Sequence, residues 1–211
     1  MKKQLLWLPA VAMTLALTGQ VAYYRFVDTP VVETHASWAF HPNTMAEAQA
    51  KASTIVQGQV VSVVAGPDIV TYAKGEANDE DRIPTQHVQL KVSKVNKGNA
   101  KVGQILDVFQ TGGLSAPTGQ PDGKQGGRVE THLTVLAGDP LYKVGEQQML
   151  MLEDGPNKML RTISPEGRYK IEANGTLTPA VENEVTTTVK GKAVHELERQ
   201  VTGAAVGGAA D

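Results

Sequence analysis

The sequence predicts a mainly β fold, a small β-barrel with an N-terminal apolar helix and short flanking helices, and three observations lead to it. From Val88 to Val92 every second side chain is apolar and the others are polar, which is the period of a strand with one buried face. A second strand-like stretch, residues 105–110, follows a turn rich in glycine and asparagine. Asn174-Gly175 lies between two further apolar stretches and predicts a hairpin with a type I′ turn, in which both central residues have positive φ.

Length and composition are those of one globular domain with appendages. The chain has 211 residues, of which 41% are hydrophobic and 20% charged. It has no cysteine, which excludes disulfides, thiolate metal sites, thiol nucleophiles and the lipid-bearing cysteine of a bacterial lipoprotein. We therefore expect packing alone to stabilise the fold.

The N-terminus predicts export from the cell. Lys2-Lys3 precede a long apolar stretch, the order of an export signal. Gln20 stands three positions before a cut that would follow Ala22, where a small residue is needed, and the apolar run of about 20 residues can cross ~30 Å of hydrocarbon. We expect residues 1–27 to be an uncleaved signal anchor, with the domain outside the cell membrane. A cleaved signal peptide, which would make the protein secreted, is the alternative.

The charge of the exported part argues against nucleic acid as a partner. Residues 1–27 hold three of the 20 Lys and Arg and none of the 22 Asp and Glu. This leaves 17 basic residues against 22 acidic ones, a formal net charge of −5. A nucleic-acid footprint would be basic and clustered.

A linker and a short helix are expected to come before the barrel. The linker is predicted over residues 28–43, and the helix is predicted over residues 44–52. Thr44 and Glu47 have the spacing of a capping box, and most of the residues that follow Thr44 are helix formers.

The strands are expected to bend. Residues 55–65 are a β-branched run interrupted by Gly58, which predicts a long first strand bent at the glycine. At Ser93-Lys94 the apolar alternation slips by one residue, which indicates a β-bulge. The other short apolar stretches that predict strands are residues 69–72, 128–135, 147–152 and 159–163.

Two polar loops and a C-terminal helix complete the prediction. Residues 74–84 are acidic, and residues 112–128 are rich in glycine and proline without periodicity, so both are expected to be surface loops. Residues 192–201 have one apolar helical face, and a flexible tail is expected to follow from residue 203. The predicted divisions are a signal or anchor segment over 1–27, a linker over 28–43, a barrel domain over 44–190, and a helix and tail over 191–211.

The chain resembles a known family over about residues 53–179. The stretches concerned are IVQGQVVSV, TQHVQLKVSKVNKGNAKVGQILDVFQTGG, GDPLYKVGEQQMLMLED, and PEGRYKI before the Asn-Gly turn. They are similar to bacterial cell-envelope proteins whose domain resembles the OB-fold of the tissue inhibitors of metalloproteinases. The resemblance implies a five-stranded OB-like barrel and an exported binding or interaction domain. The inhibitory mechanism of the animal proteins does not carry over, because it needs an N-terminal cysteine and this chain has none.

The sequence predicts no metal and no cofactor. His195-Glu196 begins like the zinc motif H-E-x-x-H, but Arg199 replaces the second histidine. His35 and His41 lie in an irregular segment and are expected to be solvated. The acidic residues of 74–84 lack the order and the glycine of a calcium loop.

An enzyme is not predicted, although one candidate pair exists. Gly113 and Ser115 match the start of a nucleophile elbow, but Pro117 stands where its last glycine belongs. Ser115 with His132 is the one pair that a cell-envelope hydrolase could use, and this alternative stays open beside a structural or processing role in the envelope.

A binding face of the barrel is the favoured functional prediction. OB-type barrels bind ligands on one face between loops. The partner is expected to be a protein, a peptide or a cell-envelope polymer, with a membrane contacted only by the N-terminal helix. The candidate ligand-binding residues are Arg128, His132, Tyr142 and Tyr169.

Overall fold

The computed structural model describes residues 29–35, 38–72, 80–115 and 132–207. The predicted signal or anchor segment lies outside these residues. The strands are β1 Val31–Thr34, β2 Thr54–Ala65, β3 Ile69–Tyr72, β4 Glu80–Ile83, β5 Thr85–Lys97, β6 Ile105–Thr111, β7 Gly113–Leu114, β8 Leu133–Leu136, β9 Gln147–Asp154, β10 Leu160–Thr162, β11 Arg168–Ile171 and β12 Leu177–Pro179. The helices are α1 Met45–Lys51, α2 Glu184–Thr187 and α3 Val194–Gly207, with 3-10 turns at Pro156–Lys158 and Pro165–Gly167.

Five strands form a closed mixed barrel, which confirms the predicted mainly β fold. Strand β2 pairs with β5 on one side and with β9 on the other, and β6 pairs with β5. Strand β10 closes the barrel, because it is antiparallel to β9 and parallel to β6. Strands β11 and β12 extend the sheet beyond β9.

The bends occur where the sequence predicts them. Gln57 pairs with Lys94 and Gly58 pairs with Val92, so Ser93 is the extra residue of a β-bulge. A Cβ atom on Gly58 would lie 2.6 Å from the carbonyl oxygen of Lys91, so only glycine permits this close approach of the two strands.

Two apolar cores share strand β9. Its side chains alternate, so that one set faces the barrel interior and the other faces the helices. The interior core consists of Val56, Val60, Val88, Leu90, Val92, Leu106, Val108, Tyr142, Leu150 and Leu152. The outer core, covered by α1 and α3, consists of Ala48, Ala52, Ile55, Met149, Met151, Ile163, Tyr169, Leu177, Val189, Leu197 and Val201.

The first helix begins as predicted, with one difference in its cap. Thr44 is the N-cap, and its Oγ1 accepts a hydrogen bond of 3.1 Å from the backbone N–H of Glu47. The carboxylate of Glu47 accepts from the N–H of Asn43 at 2.7 Å, one residue before the position that a capping box uses.

Helix α3 is fixed to the barrel by both apolar and polar contacts. Leu197 and Val201 are buried, as the predicted apolar face requires. Glu198 forms an ion pair of 2.7 Å with Lys94 and accepts a hydrogen bond from Gln57. The helix continues to Gly207, past residue 203 where the flexible tail was expected to begin, and residues 208–211 lie outside the described part of the chain.

Three predicted irregular segments contain strands. The linker over 28–43 contains β1, which pairs in parallel with β8. The loop over 74–84 contains β4, which forms a hairpin with β3, and the loop over 112–128 begins with β7, which pairs with β8. β4 and β7 have low local β propensity, and β1, whose residues Val31, Val32 and Thr34 favour a strand, is a strand because it pairs with the distant β8.

The predicted hairpin at Asn174-Gly175 is confirmed, but the predicted type I′ turn is wrong. Ile171 pairs with Leu177, and the carbonyl of Thr176 accepts from the N–H of Glu172 at 2.9 Å. Gly175 has a φ of 78°, whereas Asn174 is not among the residues with positive φ. The loop is therefore longer than a two-residue type I′ turn.

None of the helices in the described part of the chain is long and apolar enough to cross a membrane.

Candidate functional site

A row of side chains crosses the outer face of the barrel. The inward side chains of β5 and β6 fill the interior core, so His87 and Phe109, which alternate with them, face outward. His87 pairs with Phe109, and Phe109 pairs with Arg161 of β10. Arg161 pairs in turn with Glu153 of β9. The barrel closure thus brings an imidazole, an aromatic ring, a guanidinium and a carboxylate together in one line.

A cleft of about 570 Å³ opens along this row. On one side it is lined by residues 67–69, which follow β2, and on the other by residues 154–157, at the end of β9. Phe109, Thr111 and Arg161 line it between the two loops. A concave site with apolar walls and a few polar groups is typical of ligand recognition.

Both loops that border the cleft are held in place. The N–H of Gly66 donates to the carbonyl of Thr85 at 2.8 Å, and the Thr85 hydroxyl donates to the carbonyl of Pro67 at 2.8 Å. In the other loop, Asn157 has a φ of 55° and Lys158 a φ of 63°. Residues other than glycine rarely adopt this left-handed region, and such backbone strain is concentrated at functional sites.

Charged groups at the cleft are partly neutralised. The Nε atom of Arg161 donates to Oε1 of Glu153 at 3.1 Å, and Lys51 lies 2.9 Å from Oε2 of the same carboxylate. Asp68 and Asp154 place two further carboxylates along the cleft wall. The charged residues that line the cleft are therefore two carboxylates, Asp68 and Asp154, and one guanidinium, Arg161, which is already paired with Glu153.

The His87 imidazole is tightly enclosed beside Phe109. Its Nε2 atom is buried and has no hydrogen-bond partner among the described residues. A Cβ atom on Gly66 would lie 2.9 Å from His87 Cδ2, so the loop after β2 presses directly on the ring. The imidazole supports the base of this loop.

Two of the predicted ligand-binding residues are buried and do not lie on an open face of the barrel, and their role in binding stays a prediction. Tyr142 is 5% exposed, and its ring stacks on the guanidinium of Arg168 inside the barrel. Tyr169 is fully buried in the outer core, with its hydroxyl 3.9 Å from the sulfur of Met45. Burial raises the pKa of both hydroxyls well above the usual range.

The other two predicted residues have different outcomes. Arg128 lies outside the described residues, so its role stays a prediction. His132 is half-buried, and its Nδ1 lies 3.0 Å from Oγ of Ser115. The same hydroxyl oxygen accepts from the backbone N–H of His132 at 3.0 Å, and the N–H of Ser115 donates to the carbonyl of His132 at 2.9 Å. These backbone bonds continue the β7–β8 pairing and account for the contact structurally.

The histidines singled out in the sequence do not form a metal centre in the described part of the chain. His41 Nδ1 lies 3.3 Å from Oε1 of the buried Glu166, which also accepts from the Asn183 side chain at 2.9 Å. Across the described ranges, no three His, Asp or Glu side chains are grouped closely enough to hold a metal ion.

Phe109 and Arg161 were not identified from the sequence. The sequence could have indicated Phe109, because it is an aromatic residue among the outward-facing positions of β6, between Asp107 and Thr111. The sequence could not have indicated Arg161, because its position next to Phe109 depends on the closure of the barrel.

Comparison with models of protein families gave no match, and comparison with curated proteins gave none either.

Proposed function

We propose that this protein is an exported binding module that holds its partner in the cleft over Phe109. The observation that carries the proposal is the position of the cleft on the barrel. OB-type barrels are five-stranded Greek-key barrels that bind ligands with the face of strands 2 and 3 and with the loops after strands 1 and 4. Counted from β2, those elements are β5, β6 and the two loops that border the cleft.

The arrangement of the strands supports the OB-like assignment. The barrel has five strands, and its last strand, β10, pairs with the third and fourth strands rather than returning to the first. A simple up-and-down barrel does not have this connection.

The partner is proposed to be a protein, a peptide or a cell-envelope polymer. The acidic lining formed by Asp68 and Asp154, together with the net charge of −5 outside residues 1–27, disfavours nucleic acid. The basic and apolar N-terminus supports export with a membrane anchor. N-terminal sequencing that begins between Gln20 and Asp28 would show a cleaved signal and a secreted protein instead.

The proposed function is tested by capture of envelope components on the purified protein. Phe109→Ala removes the aromatic ring from the cleft and is expected to abolish capture. Ile105→Ala is the matched control, because Ile105 is 51% exposed on the same strand but does not line the cleft. Equal capture by both variants would place the binding face elsewhere.

The contact between Ser115 and His132 favours a second candidate, a serine hydrolase of the cell envelope. A hydroxyl within hydrogen-bond reach of an imidazole is the first requirement of an activated nucleophile. The backbone bonds that hold the same hydroxyl make a structural role the better explanation, and we propose that the protein is not an enzyme.

A further inference from the structure

A second cavity, of about 160 Å³, lies at the opposite end of β9 from the cleft, between the β9–β11 pair and the segment that precedes β9. Its charged and amide side chains come from three segments of the chain. The residues that matter for recognition are Lys143, Glu146, Gln148, Arg168, Lys170 and Ala180.

The register of the strands places the polar groups of this cavity on one face. Gln148 pairs with Lys170, and Leu150 pairs with Arg168, so Gln148, Arg168 and Lys170 project to the same side of the sheet. Gln148 is 1% exposed and Arg168 is 3% exposed, whereas Lys170 is exposed. The cavity therefore has a buried guanidinium and a buried amide in its interior and an ammonium group at its mouth.

Arg168 uses only part of its hydrogen-bonding capacity. Both of its hydrogen bonds leave from Nη1, one to Asp139 at 3.0 Å and one to the carbonyl of Pro140, and the Tyr142 ring covers one face of the guanidinium. The other two nitrogen atoms of the guanidinium, Nε and Nη2, donate to no residue in the described part of the chain. Neither of them is completely buried, so both are open to a ligand. This edge of a guanidinium is the one that binds a carboxylate through two parallel hydrogen bonds.

The opposite wall of the cavity offers hydrogen-bond acceptors. The Nε2 atom of Gln148 donates to Oε2 of Glu146 at 3.0 Å. Because a carboxylate only accepts, this bond fixes the amide orientation and turns Oε1 of Gln148 away from Glu146. That oxygen is buried without a donor among the described residues. The Lys143 N–H also donates to Oε2 of Glu146, so Oε1 of the carboxylate is left for a ligand.

We infer that this cavity binds a small α-amino acid in its zwitterionic form. Its carboxylate accepts from Nε and Nη2 of Arg168, and its ammonium group donates to Gln148 Oε1 and Glu146 Oε1. A ligand with only a carboxylate would leave Gln148 Oε1 and Glu146 Oε1 without a donor. A ligand with only an amine would leave Nε and Nη2 of Arg168 without an acceptor. Each therefore lacks half of the complementary contacts. The volume is that of about five water molecules, which suits glycine or alanine.

Isothermal titration of the full chain in detergent micelles tests the inference without any mutation. Glycine, L-alanine and D-alanine are the probes, with acetate and methylamine as the two half-ligands. We expect saturable binding of at least one amino acid with a dissociation constant on the order of 1 mM, because a ligand with so few atoms cannot bind much more tightly. Both half-ligands should bind at least about tenfold more weakly. No saturable binding, or acetate bound as tightly as the amino acid, would overturn the inference.

Two variants and one control locate the binding. Glu146→Gln removes the charge that faces the ammonium group, so it should weaken amino-acid binding about tenfold and leave acetate unchanged. Ala180→Leu fills the cavity without removing a polar group and should abolish binding, whereas Ala180→Ser keeps the cavity open and is its control. Unchanged binding by folded Ala180→Leu protein would show that the amino acid binds elsewhere. Neither variant touches the cleft over Phe109, so this result is independent of the proposed function.

Discussion

The centre of the Tyr142 ring lies 3.5 Å from Cζ of Arg168, and both side chains are buried. The guanidinium also forms an ion pair of 3.0 Å with Asp139, which is itself 3% exposed. Burial raises the pKa of the Asp139 carboxyl, and the attraction of Arg168 only partly opposes this effect. The segment before β9 is thus held inside the barrel by one aromatic ring stacked on a paired cation.

Tyr142→Ala should lower the free energy of unfolding by about 3–5 kcal/mol, because it leaves a cavity in the interior core and uncovers the guanidinium. Tyr142→Phe is the control. The tyrosine hydroxyl is buried without a partner among the described residues, so its removal should leave stability unchanged or slightly raised. Urea denaturation measures both variants. A loss below 1 kcal/mol for the alanine variant would show that the ring is not part of the core.

The contacts of Glu198 predict a pH dependence of stability. Burial alone would raise the pKa of its carboxyl, but hydrogen bonds from Lys94 and Gln57 outweigh burial and hold it below the ordinary value of 4.5. A carboxyl whose pKa is lowered on folding contributes stability above its unfolded pKa and loses that contribution as the pH falls through the folded value. Glu198→Gln should therefore cost about 1–2 kcal/mol at pH 7 and little at a pH below the folded pKa.

Chemical denaturation of both proteins at a series of pH values from 7 downward checks this prediction, because the difference should shrink as the pH falls through the folded pKa. Glu196→Gln, on the same helix, is the matched control. A difference between wild type and Glu198→Gln that stays constant as the pH falls would show that the carboxylate charge does not hold α3 on the barrel.

Ser115 is expected to be unreactive toward a fluorophosphonate probe. Its hydroxyl oxygen accepts from the backbone N–H of His132, and its proton has the carbonyl of His132 as an acceptor at 2.9 Å. Intact-mass spectrometry after probe treatment measures the result, with Ser115→Ala as the control. A mass increase that wild type shows and Ser115→Ala lacks would favour the hydrolase.

The sequence predicted local features better than it predicted the site. Alternation along β5 and the slip at Ser93 indicated a bent strand, because side-chain period and bulges are local properties. Tyr142 and Tyr169 were predicted to lie on a ligand surface because OB-type barrels bind on one face between loops, yet both are buried, and their burial is decided by packing against distant residues. The pairing of Phe109 with Arg161 joins segments about 50 positions apart in the sequence and exists only because β10 is parallel to β6.

We propose that a partner binds in the cleft between the two loops over Phe109. Replacing Phe109 by the photocrosslinking residue p-benzoylphenylalanine and irradiating cells that produce this protein tests this binding most directly. The same residue at Ile105, on the same strand outside the cleft, is the control. We predict that a specific crosslinked species forms from position 109 and is absent or much weaker from position 105. Absence of a crosslink at position 109, with one formed at position 105, would contradict the claim.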